Sequence, residues 1–462
     1  MTFRLYDTAT RSIRDFTPKV AGQAGIYLCG ATVQSEPHLG HMRSGVSYDI
    51  LRRWLSHLGN EVTFIRNVTD IDDKILQKAP EQGRQWWALS YENERAFDQG
   101  YLTLGCLAPT YEPRATGHVP EMIELMHTLI ATGHAYPTGG DVFFDVHSFP
   151  EYGALSNQKL ENMRAAEDAE ISLKRDPRDF ALWKGVKPHE PASASWATPW
   201  GPGRPGWHLE CSAMAGKYLG DEFDIHGGGP DLIFPHHENE IAQSKAAGRP
   251  FARYWVHHAL VSLGGEKMSK SVGNTITLPV IFSKHRPIEV RYYLASPHYR
   301  SIIEYSEEAL AEAAQGFGRI ENFIRRATER VESQATVLPD EFTAAMNDDL
   351  ATPRAFGVIH DLVRHGNQAL ADNDDAATLE ALGQMRAMLG VLGLDPLDEK
   401  WGSAPNDELK GVVDALVGVV MEQRQNARAR KDYAAADAIR DQLKSAGLAI
   451  EDTPQGPRWN VS

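Results

Sequence analysis

Two histidines three positions apart, His38 and His41, stand between an apolar segment at residues 25–30 and an amphipathic segment at residues 42–58. This pattern predicts a buried strand, a turn and a helix. Imidazole groups at a helix N-terminus can donate hydrogen bonds to phosphate oxygens, and Gly40 leaves room for a nucleotide base against the backbone. A His-x-Gly-His sequence is more often an ordinary loop, but its position after a buried strand favours a nucleotide site.

A pair of lysines far along the chain could complete such a site. Lys267 and Lys270 are three positions apart, with serines at positions 269 and 271. Two ammonium groups in a loop can hold the β- and γ-phosphates of ATP while pyrophosphate leaves. Alone, this segment is typical of a solvated basic loop. Together with the histidine turn, it predicts activation of a carboxylate by in-line attack at the α-phosphorus of ATP.

A third group of side chains could bind a metal ion. His236 and Glu240 are four positions apart in a predicted helix, so they share a face. Cys29 ends the strand before the histidine turn, and Cys211 follows a second predicted turn into a helix. Two thiolates, an imidazole and a carboxylate are acceptable ligands for Zn²⁺. The alternative is two core cysteines beside an exposed His–Glu pair. Cys106 matches no motif and is predicted to be a buried structural thiol.

A parallel sheet must position these groups. Apolar and β-branched segments predict strands at residues 25–29, 61–68, 223–226 and 255–262. The glycines at 227–229 would let the backbone approach a ligand closely. A single helix at 232–247 would carry His236 and Glu240. Residues 155–173 are predicted to be partly helical, and residues 188–205 a loop or lid.

Shifts in composition divide the chain into segments of an α/β protein. The fold class is a Rossmann-type doubly wound parallel-sheet catalytic domain with an insertion, followed by a helical bundle and a small C-terminal domain. The predicted segments are the first half of the catalytic domain (1–109), the insertion (110–205), the second half (206–262), the junction with the lysine loop (263–305), the helical bundle (306–394), a linker (395–406) and the C-terminal domain (407–462).

Composition limits the classes of function. The 62 acidic and 47 basic residues give a formal charge of −15, so overall charge would not attract nucleic acid. A local basic face could still bind a structured RNA. The longest apolar runs are well short of a membrane span, and the N-terminus lacks the pattern of a signal peptide. With three cysteines and no disulfide framework, the sequence favours a reducing cytoplasm.

The histidine turn and the lysine signature, in this order, resemble the paired signatures of class I aminoacyl-tRNA synthetases. The neighbouring motifs narrow the resemblance to the cysteinyl-tRNA synthetase family, and the similarity extends over essentially the whole chain. The motifs lie at residues 29, 38–41, 67–74, 206–214, 223–229, 234–240 and 267–271.

The resemblance implies a zinc ion, one per chain, that takes the thiolate of the substrate cysteine as a ligand. The implied protein ligands are Cys29, Cys211, His236 and Glu240. A soft thiolate binds zinc far better than a hydroxyl does, so the metal would separate cysteine from serine where shape cannot, without an editing domain. The resemblance also places Thr69, Trp207 and His226 around the bound cysteine, with Trp207 closing the pocket.

The implied partners are L-cysteine, ATP with Mg²⁺, and tRNA(Cys), and the family resemblance implies a monomer. Residues 424–431 form a basic stretch in an acidic protein, which on its own is either a solvated helix or an RNA contact. By resemblance, the C-terminal domain would bind the anticodon loop. Arg428, Asp437 and Asp452 are the candidates for contacts to base edges.

Two other functions fit part of the pattern. A ligase that joins cysteine to an aminosugar–inositol in mycothiol synthesis shares the nucleotide domain, the zinc and both signatures, but it lacks the full C-terminal domain. His226 also favours the synthetase. A catalytically inactive RNA-binding paralogue is disfavoured by the intact His38, His41, Lys267 and Lys270. Asp224 and Asp231 flank the glycines, and one could meet ribose hydroxyls or the substrate amine.

Overall fold

The computed structural model describes residues 2–166, 168–267, 275–332, 337–401, 407–445, 448–453 and 456–461. Side chains are described for fewer positions, and those of Lys267, residues 407–414 and both C-terminal strands are outside the description. The chain divides into two compact units, residues 1–396 and 397–462. Each unit is described separately.

The first segment supplies two strands of the central sheet and the helix after the histidine turn. Its elements are β1 (Arg4–Asp7), β2 (Ser12–Asp15), β3 (Gln23–Leu28), α1 (Leu39–His57), β4 (Glu61–Arg66), α2 (Asp73–Glu81) and α3 (Trp86–Thr103). His38 caps α1, since its Nδ1 accepts a hydrogen bond from the backbone N–H of Gly40. The Nδ1 of His41 accepts one from the backbone N–H of His38. The helix therefore begins inside the histidine turn, three residues before its predicted start.

The insertion folds into a helix and a second sheet. Its elements are α4 (Val119–Ala131), β5 (Ala135–Thr138), β6 (Asp141–Phe144), β7 (Phe180–Gly185) and β8 (Gly203–Pro205), with the four strands antiparallel in that order. Residues 155–173 contain only two short 3₁₀ turns within the described part, because their charged side chains leave too few apolar positions for a buried helix face. The loop predicted at 188–205 ends in β8, so its last three residues belong to the sheet.

A buried group of charges attaches the insertion to the catalytic domain. Lys184 on β7 and Arg204 on β8 face each other across the strand pair, and both are almost fully buried. Two cations placed side by side repel each other unless an anion lies between them. Asp73 at the start of α2 is that anion: it lies 2.6 Å from the Lys184 ammonium and also pairs with Arg204.

The third segment completes the central sheet. Its elements are α5 (Trp207–Leu219), β9 (Glu222–Gly228), α6 (Glu238–Ala246), β10 (Phe251–His257), β11 (Val261–Leu263), β12 (Glu266–Lys267), α7 (Leu278–Phe282), α8 (Pro287–Ala295) and β13 (Ile303–Glu304). The central sheet has the order β10–β9–β3–β4, and all of its strands are parallel. The carboxyl ends of β3, β4 and β9 therefore meet at one edge, as expected for a Rossmann-type sheet.

Two predictions in this segment are wrong in part. The helix predicted at 232–247 is regular only from Glu238, because Phe234 is extended (φ −137°, ψ 133°), as residues before proline tend to be. The strand predicted at 255–262 is two strands in different sheets. Its partner β9 ends opposite His257, so the parallel pairing stops there, and β11 pairs instead with β12 and β13.

A buried arginine joins the catalytic domain to the helical bundle. The bundle consists of α9 (Glu307–Thr328), α10 (Asp340–Asn347), α11 (Thr352–Asp372) and α12 (Asp375–Leu392). Arg291 on α8 is fully buried and lies 2.5 Å from the carboxylate of Asp49 on α1. The same guanidinium donates hydrogen bonds to the carbonyls of Leu104 after α3 and Leu392 at the end of α12. Helices α1, α3, α8 and α12 are thereby connected through one side chain.

The second unit contains α13 (Asp407–Ala429), α14 (Tyr433–Ser445) and an antiparallel hairpin of β14 (Leu448–Thr453) and β15 (Gly456–Val461). Its helices pack through Val417, Met421 and Leu443. Among the described residues, no helix is long and apolar enough to cross a membrane.

Two glycines on α11 offer a matched test of packing in the bundle. A methyl group on Gly366 would lie 2.3 Å from the ring of Phe323 on α9, whereas one on Gly357 would meet nothing within 4 Å. Alanine favours a helix over glycine by about 1 kcal/mol, and overpacking a core costs about 1–3 kcal/mol. We expect Gly357→Ala to raise the free energy of unfolding and Gly366→Ala to lower it, measured by urea denaturation. An equal effect of both substitutions would contradict this packing.

Candidate metal centre and nucleotide site

The structure brings the four candidate metal ligands together at the carboxyl edge of the sheet. Cys29 directly follows β3, Cys211 lies in α5, and His236 and Glu240 lie on either side of the start of α6. The two sulfur atoms are 3.7 Å apart, and Glu240 Oε1 is 3.4 Å from Cys29 Sγ and 3.1 Å from His236 Nε2. All four side chains are buried.

Burial decides the protonation of these ligands. Removal from water raises the pKa of the Cys29 thiol well above its usual value, and contact with Cys211 raises it further. Burial likewise raises the pKa of Cys211 and lowers the pKa of His236 to about 3. Two thiolates and a carboxylate would repel one another in this dry site unless a cation lay among them. Two sulfur ligands, one nitrogen and one oxygen fit a borderline-soft divalent cation.

More histidines surround the cluster than the sequence predicted as ligands. His226 Nε2 is 2.8 Å from Glu240 Oε2, and His208 Nδ1 is 2.9 Å from His236 Nδ1. His237 Nδ1 is 2.8 Å from His257 Nε2. The described residues contain a second potential ligand group, formed by Cys29, His226, His237 and Glu240. The adjacent histidines at 236 and 237 were the available sequence signal, but only one fits the face shared with Glu240 in a regular helix.

The three residues predicted around the amino acid lie close to this cluster. Trp207 is half-buried and its ring stacks on His236 at 4.2 Å. Thr69 is buried, and its hydroxyl donates to Glu210 Oε2 at 3.0 Å. His226 is fully buried between Glu240 and Trp255, whose ring it stacks on at 4.4 Å. Sequence reasoning missed Glu210, whose burial raises its pKa well above the usual value.

The histidine turn lies against the segment that follows the lysine signature. The rings of His38 and His41 are 3.8 Å apart. His38 forms a β-bridge with Thr277, and the N–H of Leu39 donates to the carbonyl of Ile276. The backbone of Lys267 ends β12, whereas its side chain and all of Lys270 lie outside the described residues. The backbone contacts therefore connect the turn to the chain just after the lysine loop.

The glycines and acids beside β9 have structural partners. A methyl group on Gly227 would lie 2.4 Å from the ring of Tyr48, and one on Gly228 would lie 2.7 Å from His237. These two glycines belong to β9 and admit protein side chains, where the sequence suggested a ligand. Asp224 accepts hydrogen bonds from the backbone N–H groups of Lys19 and Gly25.

The anticodon candidates lie in the second unit. Arg428 on α13 and Asp437 on α14 are exposed, and Asp437 is 3.4 Å from Arg440. Asp452 lies on β14 opposite Pro457, and its side chain is outside the description. Arg424 is buried, so the basic stretch at 424–431 does not present all of its charges to solvent.

A small cavity lies next to Ala31 and Asn67, which follow β3 and β4. Arg66 lines it, stacks over the ring of Tyr101 at 3.9 Å and is 2.6 Å from Glu112. Asp98 lines the same cavity. The pKa of Asp98 is raised to about 6, chiefly by burial and then by the neighbouring Glu112, while Arg66 opposes the shift.

Comparison with known families agrees with this architecture. Residues 15–315 match the family described as the tRNA synthetases class I (C) catalytic domain. Residues 341–396 match the DALR domain, and residues 411–459 match the cysteinyl-tRNA ligase anticodon binding domain. A Mycobacterium tuberculosis methionyl-tRNA synthetase, solved in complex with methionyl-adenylate, has a TM-score of 0.57 at 17% identity, covering 83% of this chain and 94% of that one. The fold and its signature turn are those of a class I aminoacyl-tRNA synthetase.

The full-length relatives narrow the class. The cysteine–tRNA ligase of Streptomyces avermitilis is 61% identical over 466 residues, which cover 100% of this chain and 99% of the relative. The cysteine–tRNA ligase of Streptomyces griseus has the same identity and coverage. The chain belongs to the cysteinyl-tRNA synthetase family, and it is a ligase.

The pKa of Asp98 makes a prediction about stability and pH. Its folded-state pKa of about 6 exceeds the unfolded value of about 4, so its contribution is complete below about pH 4 and is lost as the pH rises through 6. We expect the thermal midpoint of Asp98→Asn to rise relative to that of the natural chain as the pH increases from about 4 to about 6, and the difference to stay constant above about pH 7. Asp361→Asn, at an exposed position of α11, is the control. A pH-independent difference for Asp98→Asn would refute the shift.

Proposed function

We propose that this chain activates L-cysteine with ATP to cysteinyl-adenylate and pyrophosphate, and then transfers cysteine to the 3′ end of tRNA(Cys). The observation that supports this most directly is the buried set of Cys29, Cys211, His236 and Glu240 beside the histidine turn. A thiol-selective metal ligand set adjacent to a nucleotide-binding turn is what cysteine activation requires.

The histidine turn and the lysine loop would handle ATP, which binds with Mg²⁺. His38 and His41 direct their Nδ1 atoms to the backbone and would present Nε2 to the phosphates, while Gly40 would contact the adenine. Lys267 and Lys270 would neutralise the leaving pyrophosphate. The β-bridge from His38 to Thr277 would hold the histidine turn next to the segment that follows the lysine loop.

The metal cluster would select the amino acid. When bound, a zinc ion supplies a soft Lewis acid that prefers the thiolate of cysteine to the hydroxyl of serine. His208 orients His236 through the contact between their Nδ1 atoms, and His226 holds the second oxygen of Glu240. Trp207 would close the pocket over the substrate. Selection at this step removes the need for an editing domain.

Polar groups near the cluster would orient the rest of the amino acid. Thr69 accepts a hydrogen bond from Asn67 and donates one to Glu210, so its hydroxyl has a fixed direction. Of the two acids beside the glycines, one would meet the ribose hydroxyls or the substrate amine; Asp224 already accepts hydrogen bonds from two backbone N–H groups.

The C-terminal unit would bind the anticodon loop. Arg428, Asp437 and Asp452 are our candidates for base contacts, on α13, α14 and β14. A guanidinium and carboxylates can read base edges in an unstacked loop.

The monomeric state, the cytoplasmic location and the seven-segment domain division stay predictions.

The deciding experiment is a pair of assays with the same enzyme. Cysteine and ATP are supplied with tRNA(Cys) in one reaction and with the aminosugar–inositol acceptor of mycothiol synthesis in the other. We expect product only with tRNA. Transfer to the aminosugar alone would replace the proposed function with that of the related ligase.

The lysine signature should be essential for the first step. Lys270→Ala should slow cysteine-dependent ATP–pyrophosphate exchange by about 100-fold or more, as for the loss of an electrostatic contact to the transition state. Lys284→Ala, which removes an exposed lysine paired with Glu307, is the control. Exchange within about threefold of the natural rate in Lys270→Ala would argue against its catalytic role.

Removing the second unit should separate the two steps. A chain that ends at Pro396 retains the first compact unit, with the metal cluster and the histidine turn. We expect normal pyrophosphate exchange but about 100-fold slower charging of tRNA. The proposed contact with the anticodon loop is lost, and the tRNA would be held only by its 3′ end at the catalytic site. Normal charging by this shortened chain would place tRNA recognition elsewhere.

A further inference from the structure

Two buried histidines beside the metal cluster have nitrogen atoms that nothing in the described structure satisfies. His226 and His237 are both fully buried. His226 Nδ1 and His237 Nε2 lack a hydrogen-bond partner among the described residues. Buried polar atoms are nearly always paired, yet each of these imidazoles has one engaged nitrogen and one without a partner. An imidazole beside thiols and a carboxylate is a common metal ligand.

The two histidines complete a second ligand set. His226, His237, Cys29 and Glu240 can each place one ligand atom so that all four atoms lie within 4.8 Å of one another. We propose that these four residues form an alternate cation position for zinc or a similar borderline-soft divalent metal. This position overlaps the one formed with Cys211 and His236. The inference rests on the proposed metal function and extends it to two histidines.

The contacts behind His237 are those expected of a metal ligand. Its Nδ1 is 2.8 Å from His257 Nε2, and His257 Nδ1 is 2.8 Å from the hydroxyl of Thr8. These contacts engage Nδ1 of His237 and leave its Nε2 without a hydrogen-bond partner among the described residues. His236 has the equivalent arrangement through His208. Outer hydrogen bonds of this kind fix the tautomer and the orientation of metal-bound imidazoles.

The two positions exclude each other. Both need the thiolate of Cys29 and the carboxylate of Glu240, which directs Oε1 towards His236 and Oε2 towards His226. Two divalent cations a few ångströms apart repel strongly, and a single shared carboxylate and thiolate provide little compensation. One ion per chain would therefore occupy the position with two thiolates, and it would pass to the position with one thiolate when the first is disabled.

The alternate position predicts that His237→Gln and Cys211→Ala have non-additive effects on zinc affinity. With both sets intact, the loss of His237 removes only the unused position, so His237→Gln should change zinc affinity by less than about threefold. Cys211→Ala disables the first position and shifts the ion to the second. In that background His237→Gln should lower the affinity by about 100-fold or more, because the remaining set loses a ligand.

The experiment is a double-mutant cycle with purified full-length chains. Zinc affinity is measured by competition with a chromophoric chelator, and metal content by elemental analysis. His118→Gln in each background is the control, because His118 is also buried but bonds to Tyr218 and belongs to neither ligand set. If Cys211→Ala does not fold, His236→Gln disables the first position in its place. Cobalt substitution reports the ligands: Cys211→Ala should keep roughly half of the sulfur-to-cobalt absorbance, since one thiolate remains.

The outcomes separate this inference from the proposed function. Equal effects of His237→Gln in both backgrounds, or complete loss of metal from Cys211→Ala, would overturn the alternate position while leaving the first metal position intact. Two ions per natural chain would overturn the exclusion. A natural chain that binds no zinc would overturn the metal function itself.

Discussion

The parallel pairing of β3 with β9 is the constraint on which the rest of the site depends. The backbone N–H of Cys29 donates to the carbonyl of Gly227 at 3.0 Å, which extends the ladder one residue beyond β3. This bond places the Cys29 thiol beside His226 and below the start of α6. Residues 30–38 then lead into the capped helix α1. The histidine turn and the candidate metal cluster therefore both depend on the position of the carboxyl end of β3.

Helix α1 supports both sides of this junction. Its first residues carry the histidine turn, and Tyr48, three turns later, accepts a hydrogen bond from the N–H of Gly228 and donates to the carbonyl of Val256. These bonds hold the ends of β9 and β10. The ring reaches them only because residue 227 lacks a side chain. Asp49 then connects the same helix to Arg291 and the bundle, so a single helix positions the histidine turn, the strand ends and the next domain.

The sequence predicted those features that depend on local patterns. The strand before the histidine turn, the helix after it and the helices of the bundle follow from apolar periodicity, and the structure confirms them. The break in the predicted helix at Phe234 could have been inferred from Pro235, because the residue before a proline disfavours helical geometry. The charged and polar residues that follow continue a helical pattern and concealed the break. The partners of His226 and His237 could not be predicted, since they come from β10 and α6 and meet only when distant segments pack. The roles of Gly227 and Asp224 were hidden for the same reason: their neighbours Tyr48 and Lys19 are far away in sequence.

The proposed selectivity for cysteine would depend on how the candidate metal ligands are brought together. The ligands come from three separate segments, around residues 29, 211 and 236–240, so the cluster exists only after the parallel sheet has formed. Without a cation, burial raises the pKa of both thiols, and the folded chain keeps them protonated. A cation that displaces those protons gains the energy of binding only in the folded state, and it therefore stabilises the sheet. The proposed selection of cysteine over serine and the pairing of β3 with β9 would then reinforce each other, because each requires the same position of Cys29.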